Sequence, residues 1–192
     1  MPPHPNQILQ DVFGYADFRP GQEEVMNTIL GGENVLVVMP TGAGKSLCFQ
    51  IPALAQEALA IVVSPLVALM EDQVAALRLA GVAAETINSS RPYDVNAASW
   101  RRVAAGETRL LYISPERLMT DRMLAALSRL PVGLLVVDEA HCISRWGPSF
   151  RPEYEGLNRV GSLFPDATIA AFTATADAAT RDDIAGKLFG GK

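Results

Sequence analysis

One stretch constrains the fold more than any other. Val35-Leu-Val-Val38 is a short β-branched apolar run. Met39-Pro-Thr-Gly-Ala-Gly-Lys-Ser46 follows it, and Leu47-Cys-Phe-Gln-Ile51 has the composition to continue as a helix. A buried strand, a glycine-containing loop and Gly-Lys-Ser at a helix start together form a phosphate-binding loop. The residue types suit that chemistry. Gly42 and Gly44 let backbone N–H groups turn toward an anion without a Cβ penalty. The helix N-terminus adds a positive dipole at the same place. Lys45 brings a mobile ammonium to the outer phosphates, and Ser46 brings a hydroxyl for Mg²⁺. The loop lacks the leading glycine of G-x-x-x-x-G-K-[ST] and reads as a relaxed form of it. A nucleoside triphosphate, ATP or a relative, is the ligand this loop implies.

A strand feeding a phosphate loop belongs in a parallel sheet, and the rest of the chain fits one. Ala60–Val63, Val82–Ile87, Arg109–Ile113, Gly133–Val137 and Thr168–Phe172 are further apolar runs. Helical stretches alternate with them: about Pro65–Leu79, Tyr93–Ala105, Glu116–Leu130 and Ala176–Leu188. Ile8, Leu9, Val12 and Phe13 mark an earlier helix, and Pro20–Leu30 another. Pro52 is expected to end or kink the helix after the phosphate loop. Continuous apolar strands alternating with helices predict an α/β fold, a RecA-like mostly parallel central sheet with helices on both faces. Each motif then falls just after a strand, at the carboxyl edge where open α/β sheets place ligands.

Length and composition narrow the class. The 192 residues suffice for about one domain, and 49% are hydrophobic, enough for a sizeable core. Residues 1–192 are read as one domain, with 1–30 as a lead-in. The net charge of −5 argues against a basic coat over the whole surface, though a local basic groove remains compatible with it. Cys48 and Cys142 are too few for a disulfide scaffold and read as buried small hydrophobes. No apolar run reaches transmembrane length and the N-terminus does not open a signal peptide, so a cytoplasmic protein with no membrane partner is expected.

Asp138 and Glu139 close an apolar strand downstream of the phosphate loop. In that place an aspartate can hold Mg²⁺ and a glutamate can polarise the attacking water. His141 is either structural or a sensor of the γ-phosphate. Trp146, Phe150 and Tyr154 fall four apart, but Gly147, Pro148 and Pro152 oppose a helix. A glycine- and proline-rich loop showing Trp146 and Phe150 beside Arg145 and Arg151 suits base stacking and phosphate contact. The alternative is aromatics tucked into the core. Thr173 and Thr175 end the last strand with two hydroxyls, as caps or as contacts to the site.

With these residues in place the chain resembles the RecQ DNA helicases. Asp138-Glu-Ala-His141 is similar to motif II of superfamily-2 helicases. Phe18-Arg-Pro-Gly-Gln22, Met39–Ser46, Ser64–Gln73, Tyr112–Leu118, the Cys142–Tyr154 loop and Thr173-Ala-Thr175 match RecQ motifs in order. The resemblance implies an ATP-dependent 3′–5′ DNA helicase motor domain, using ATP and Mg²⁺ in DNA repair and recombination. It implies that Gln22 reads the adenine edge with Arg19 near the base, and that Pro40, Thr41, Gly42, Ala43, Gly44, Lys45 and Ser46 hold the phosphates. Glu139, Lys45, Asp138 and His141 become the catalytic set, with Ser46 and Asp138 on the metal. Ser64, Trp146, Phe150, Arg151, Thr173 and Thr175 are implied to touch single-stranded or partly duplex DNA, or to couple it to hydrolysis. A second RecA-like domain with an arginine finger is the implied partner and is absent from these 192 residues. Arg145, Pro148 and Ser149 replace the family's Gln, His and Asp, which implies weaker coupling. A small-molecule P-loop kinase and a degenerate binding module are the competing classes; Gln22 opposes the first, and intact Lys45, Ser46, Asp138 and Glu139 oppose the second.

Overall fold

A computed structural model describes residues 3–40, 44–145, 150–174 and 177–190. Its centre is a six-stranded sheet: β1 (Val35–Val38), β2 (Leu59–Val63), β3 (Ala84–Ile87), β4 (Leu110–Ile113), β5 (Val132–Val137) and β6 (Thr168–Thr173). The spatial order is β1-β6-β5-β2-β4-β3, and every pairing is parallel. All six expected strands are present, with ends shifted by at most two residues.

Alternation along the strands explains why both faces are covered. Ile61, Val63, Leu111, Ile113, Leu135 and Val137 point to one face. There they meet α5 (Tyr93–Ala104), α7 (Asp121–Leu127) and α8 (Ala178–Phe189), through Val103, Leu124, Leu127, Ile184 and Leu188. Ala60, Val62, Leu110, Tyr112, Leu134, Val136 and Phe172 point to the other. They pack on α2 (Gln22–Leu30), α3 (Lys45–Ala55) and α4 (Val67–Leu79), through Ile29, Phe49, Met70, Val74 and Leu77. Phe49 and Phe172 meet edge to face, with centroids 5.4 Å apart. α1 (Pro5–Asp11) adds Ile8 and Leu9 against Met26 and Ile51.

Of the two outcomes expected at Pro52, an end or a kink, the first does not occur: helix α3 runs through Pro52 to Ala55. A proline forfeits one i→i−4 bond, here to Cys48, and only three residues follow it, so packing of buried Phe49, Ile51 and Ala53 outweighs the loss. The stretch 116–130 is not one helix. It divides into α6 (Pro115–Leu118) and α7, because Thr120 Oγ1 accepts the Met123 N–H at 3.2 Å and caps a fresh start.

The edge strand β3 carries an acid, Glu85, only 7% exposed at its side chain. Arg78 of α4 approaches it at 2.7 Å, and Arg102 of α5 grips both carboxylate oxygens. Burial pushes the Glu85 carboxyl up, but bonds from Arg102 and Ser99 and the charge of Arg78 outweigh it, so the net shift is downward. A depressed folded value adds stability above the unfolded glutamate's range, and that stability drains away as pH falls through the folded value. Glu85→Gln is expected to cost about 1–3 kcal/mol at neutral pH and to flatten the acid side of a thermal-unfolding profile. An unchanged profile would show that the cluster contributes nothing.

Candidate active site

The carboxyl ends of the strands bring the motif residues to one edge of the sheet. Gly44 sits at the start of α3 with φ +75°, a conformation that glycine adopts without strain. A Cβ there would also meet Gln22 Nε2, which would have to shift from its bond to the Gly44 carbonyl. Thr41, Gly42 and Ala43 lie outside the described residues, and Pro40 is exposed just ahead of them.

Lys45 and Ser46 open α3. Lys45 Nζ lies 3.0 Å from Asp138 Oδ1 and 3.4 Å from Glu139 Oε1. Burial works to lower the Lys45 ammonium, but the two carboxylates outweigh it and hold it above its ordinary value. Asp138 side-chain exposure is only 3%, against 22% for Glu139. Burial pushes the Asp138 carboxyl up, with the Lys45 charge opposing that shift. Two carboxylates at one strand end thus have unlike surroundings, one enclosed and one able to meet water.

Ser46 Oγ accepts a hydrogen bond from Gln73 Nε2 at 3.0 Å. Gln73 closes the Ser64–Gln73 stretch that matches a RecQ motif, and its side chain reaches the phosphate loop. The signal was present in the spacing. Leu66, Leu69, Gln73, Ala76 and Ala80 recur at helical intervals and share the face of α4 that walls the site.

A cavity of about 800 Å³ runs from Lys45, Ser46 and Glu139 past Gly44 and Gln22 to Phe13 on the lead-in. Gln22 is nearly fully buried, its Oε1 accepting the Arg19 N–H at 2.8 Å and its Nε2 donating to the Gly44 carbonyl at 3.0 Å. The side chain ties the lead-in to the phosphate loop, a second task beyond any contact with a base. Each amide atom keeps one further bonding capacity, enough for a donor–acceptor pair.

His141 Nδ1 is 2.7 Å from Thr173 Oγ1, and its Nε2 is 3.3 Å from Glu139 Oε2. The imidazole bridges the end of β5 and the end of β6. Thr173 is fully buried there. Thr175 lies outside the described residues. Ser64 is buried as well, its Oγ accepting the Leu66 N–H at 3.2 Å, so the hydroxyl shapes the turn into α4.

Trp146, Gly147, Pro148 and Ser149 lie outside the described residues. Of the other aromatics on that loop, Tyr154 is fully buried and is the one that tucks into the core. Phe150 is half-buried, with the Arg145 guanidinium 5.5 Å from its ring centroid. Arg145 also pairs with Glu155, and Arg151 with Glu153 at 3.8 Å. Both cysteines are buried, and burial pushes their thiols up to about 11, which leaves them inert as expected.

The DEAD/DEAH box helicase profile matches residues 19–184, spanning every motif just described. The chain belongs to the DEAD/DEAH box helicase family. Among individual relatives it is 50% identical over 177 residues to the ATP-dependent DNA helicase RecQ of Haemophilus influenzae, covering 92% of this chain and 29% of that protein. It is 42% identical over 183 residues to the RecQ of Bacillus subtilis, covering 94% of this chain and 31% of the relative. The chain therefore spans about a third or less of the length of these helicases. A hypothetical ATP-dependent RNA helicase from Sulfolobus tokodaii superposes with a TM-score of 0.75 at 20% identity, over 97% of this chain and 55% of the other. The helicase MrfA, bound to DNA and AMPPNP, also gives 0.75, at 16% identity, over 98% and 28%. The two superpositions show a RecA-like fold. The identities to the two RecQ relatives agree with the sequence resemblance to RecQ helicases. No helix among the described residues is long and apolar enough to cross a membrane.

Proposed function

We propose that the chain is the N-terminal ATP-binding motor domain of a longer ATP-dependent DNA helicase of RecQ type. The observation that carries this reading is the convergence of Lys45, Ser46 and Glu139 on one cavity, with Asp138 against Lys45, from two separate strand ends. The reading extends to a 3′–5′ motor in the cytoplasm serving DNA repair and recombination. Its partners are single-stranded and partly duplex DNA and a second RecA-like domain that closes over the nucleotide.

The residues fit a magnesium–nucleotide complex. Among the described residues no cluster of His, Cys, Asp and Glu forms an all-protein metal cage. Mg²⁺ bound with a nucleotide needs none, since it takes one or two protein oxygens and the rest from phosphates and water. Ser46 Oγ and the enclosed Asp138 carboxylate are that donor set. When bound, Mg²⁺ neutralises charge on the β- and γ-phosphates. Lys45 rests on Asp138 at 3.0 Å; with nucleotide bound, its ammonium would serve the γ-phosphate and leave the carboxylate for the metal. Glu139, the more exposed acid, orients and deprotonates the attacking water. His141 holds Glu139 on one side and Thr173 on the other.

The test is steady-state ATP hydrolysis by the longer protein with and without single-stranded DNA. Strong stimulation is expected. A small-molecule kinase would turn over only with a phosphate acceptor, and an inert binding module would not turn over at all. Residues 1–192 by themselves are expected to bind nucleotide weakly and hydrolyse it negligibly, because an arginine finger from a second domain is worth on the order of 10³–10⁵ in rate in GTPases. Brisk turnover by the isolated chain would refute that division of labour.

Gln22 gives a further expectation. Gln22→Ala removes both a base-reading amide and the tether between Arg19 and Gly44. Nucleotide affinity should fall for ATP and GTP alike, and the ATP/GTP ratio of kcat/KM should also drop by about 1–3 kcal/mol in discrimination, by analogy with bidentate side chain–base contacts. A uniform loss with the ratio preserved would leave Gln22 as a tether only.

A further inference from the structure

Glu139 stands in an unusual backbone state. Its φ of 52° and ψ of 44° are left-handed, and among the described residues it is the one non-glycine with positive φ. Such outliers persist only where the surroundings over-determine them, and they gather at functional sites. The peptide that leads into Glu139 is held from both sides. Its N–H donates to Asp138 Oδ1 at 3.0 Å. Its carbonyl, that of Asp138, accepts from the Tyr154 hydroxyl at 2.9 Å.

Tyr154 is built for this contact. It is fully buried, and its hydroxyl donates to that carbonyl at hydrogen-bond distance. It lies in the 3₁₀ turn Pro152–Arg159, whose start is pinned by the Arg151 N–H on the Cys142 carbonyl at 2.9 Å and by the Tyr154 N–H on the Arg151 carbonyl at 3.0 Å. The ring therefore meets the Asp138–Glu139 peptide from a segment sixteen residues away that is itself fixed to the chain just after Glu139.

We infer that Tyr154 is a positioning residue for hydrolysis: its hydroxyl locks the Asp138–Glu139 peptide and so aims the Glu139 carboxylate. The inference rests on the proposed role of Glu139 as the water-activating group. Rotating this peptide would swing Glu139 out of the αL state and away from both Lys45 and His141. It would also change the hydrogen bond that orients the Asp138 carboxylate. Tyr154 thereby links the segment that follows Phe150 and Arg151 to the acid that acts on water, with no contact of its own to nucleotide.

Tyr154→Phe keeps the ring and deletes the hydroxyl. Leu157→Val, on the same turn and equally buried, perturbs packing and leaves the hydrogen bond intact. Two readouts separate orientation from stability. In the 192-residue chain, amide hydrogen exchange at Glu139 should quicken at least tenfold in Tyr154→Phe and stay unchanged in Leu157→Val. In the longer protein, kcat for ATP should fall about tenfold in Tyr154→Phe with KM unchanged, while Leu157→Val keeps both. Unaltered exchange at Glu139 overturns the clamp. Quickened exchange with an unaltered kcat overturns its link to hydrolysis. The inference is separable from the reading of Glu139: loss of the clamp appears in exchange alone, whereas an error about Glu139 appears as turnover that survives Glu139→Gln.

Discussion

Lys45→Ala is expected to lower kcat for ATP by about 10²–10³, the range seen when one preorganised charge-stabilising donor is removed from a site. The ammonium is the one described cation placed between Asp138 and Glu139, 3.0 and 3.4 Å away. Nucleotide affinity should also weaken by roughly 10–100-fold, the worth of about 1.5–3 kcal/mol in charge-assisted hydrogen bonds. The same substitution has a stability signature. It strips the counter-charge from Asp138, whose carboxyl burial already pushes up. Breaking a buried pair from one side typically costs about 3–5 kcal/mol, because the remaining charge stays enclosed. A carboxyl with a raised folded value favours folding below its unfolded range and loses that contribution as pH rises through the folded value. The melting deficit of Lys45→Ala should therefore be largest near neutral pH and shrink as the solution is acidified and Asp138 takes up a proton. Nucleotide titrations on the 192-residue chain and hydrolysis by the longer protein measure the first pair of effects. Thermal unfolding against pH measures the last. Turnover that survives the substitution would remove Lys45 from the site.

The sheet was legible because its strands are apolar on both faces. Ile61-Val62-Val63 and Leu134-Leu135-Val136 offer no polar side, so only a doubly covered parallel sheet could hold them. Sites that follow strand ends were legible for the same reason: a parallel sheet gathers them at one edge. A local rule failed where a single cap decided the outcome, at Thr120, and at Pro52 packing carried the helix past the proline. Local rules are silent on the partners of Gln73, Ser64 and Tyr154. Each is a polar residue whose partner lies far away in sequence or is a backbone atom, and composition carries no trace of such a partner. Gln73 meets Ser46 across 27 residues and Tyr154 meets the Asp138 carbonyl across 16. The loop was open to two readings, aromatics for base stacking or aromatics in the core, and Tyr154 takes the second. The period that grouped Tyr154 with Phe150 said nothing of depth.

Glu139→Gln separates binding from chemistry. The two acids at the end of β5 have unlike exposure, 3% for Asp138 and 22% for Glu139 at the side chain, so only Glu139 can meet a water molecule while Asp138 stays enclosed with Lys45. Proton transfer by a positioned side chain contributes about 10²–10⁴ in rate, and kcat for ATP should fall by that factor. A glutamine amide has the same size, can still accept from His141 through its oxygen, and demands nothing new of the αL backbone. Lys45 loses the weaker of its two partners, the 3.4 Å contact, and keeps Asp138 at 3.0 Å. Nucleotide affinity should therefore hold steady or rise slightly, as a negative charge near the γ-phosphate is removed. The melting temperature should change little, because the group replaced is partly solvated and breaks no buried pair. Single-turnover hydrolysis by the longer protein, paired with titration of a fluorescent nucleotide, reads both quantities in one preparation. A fall in affinity matching the fall in rate would mean that Glu139 grips the nucleotide complex in its ground state; loss of rate with affinity intact would assign it the attacking water.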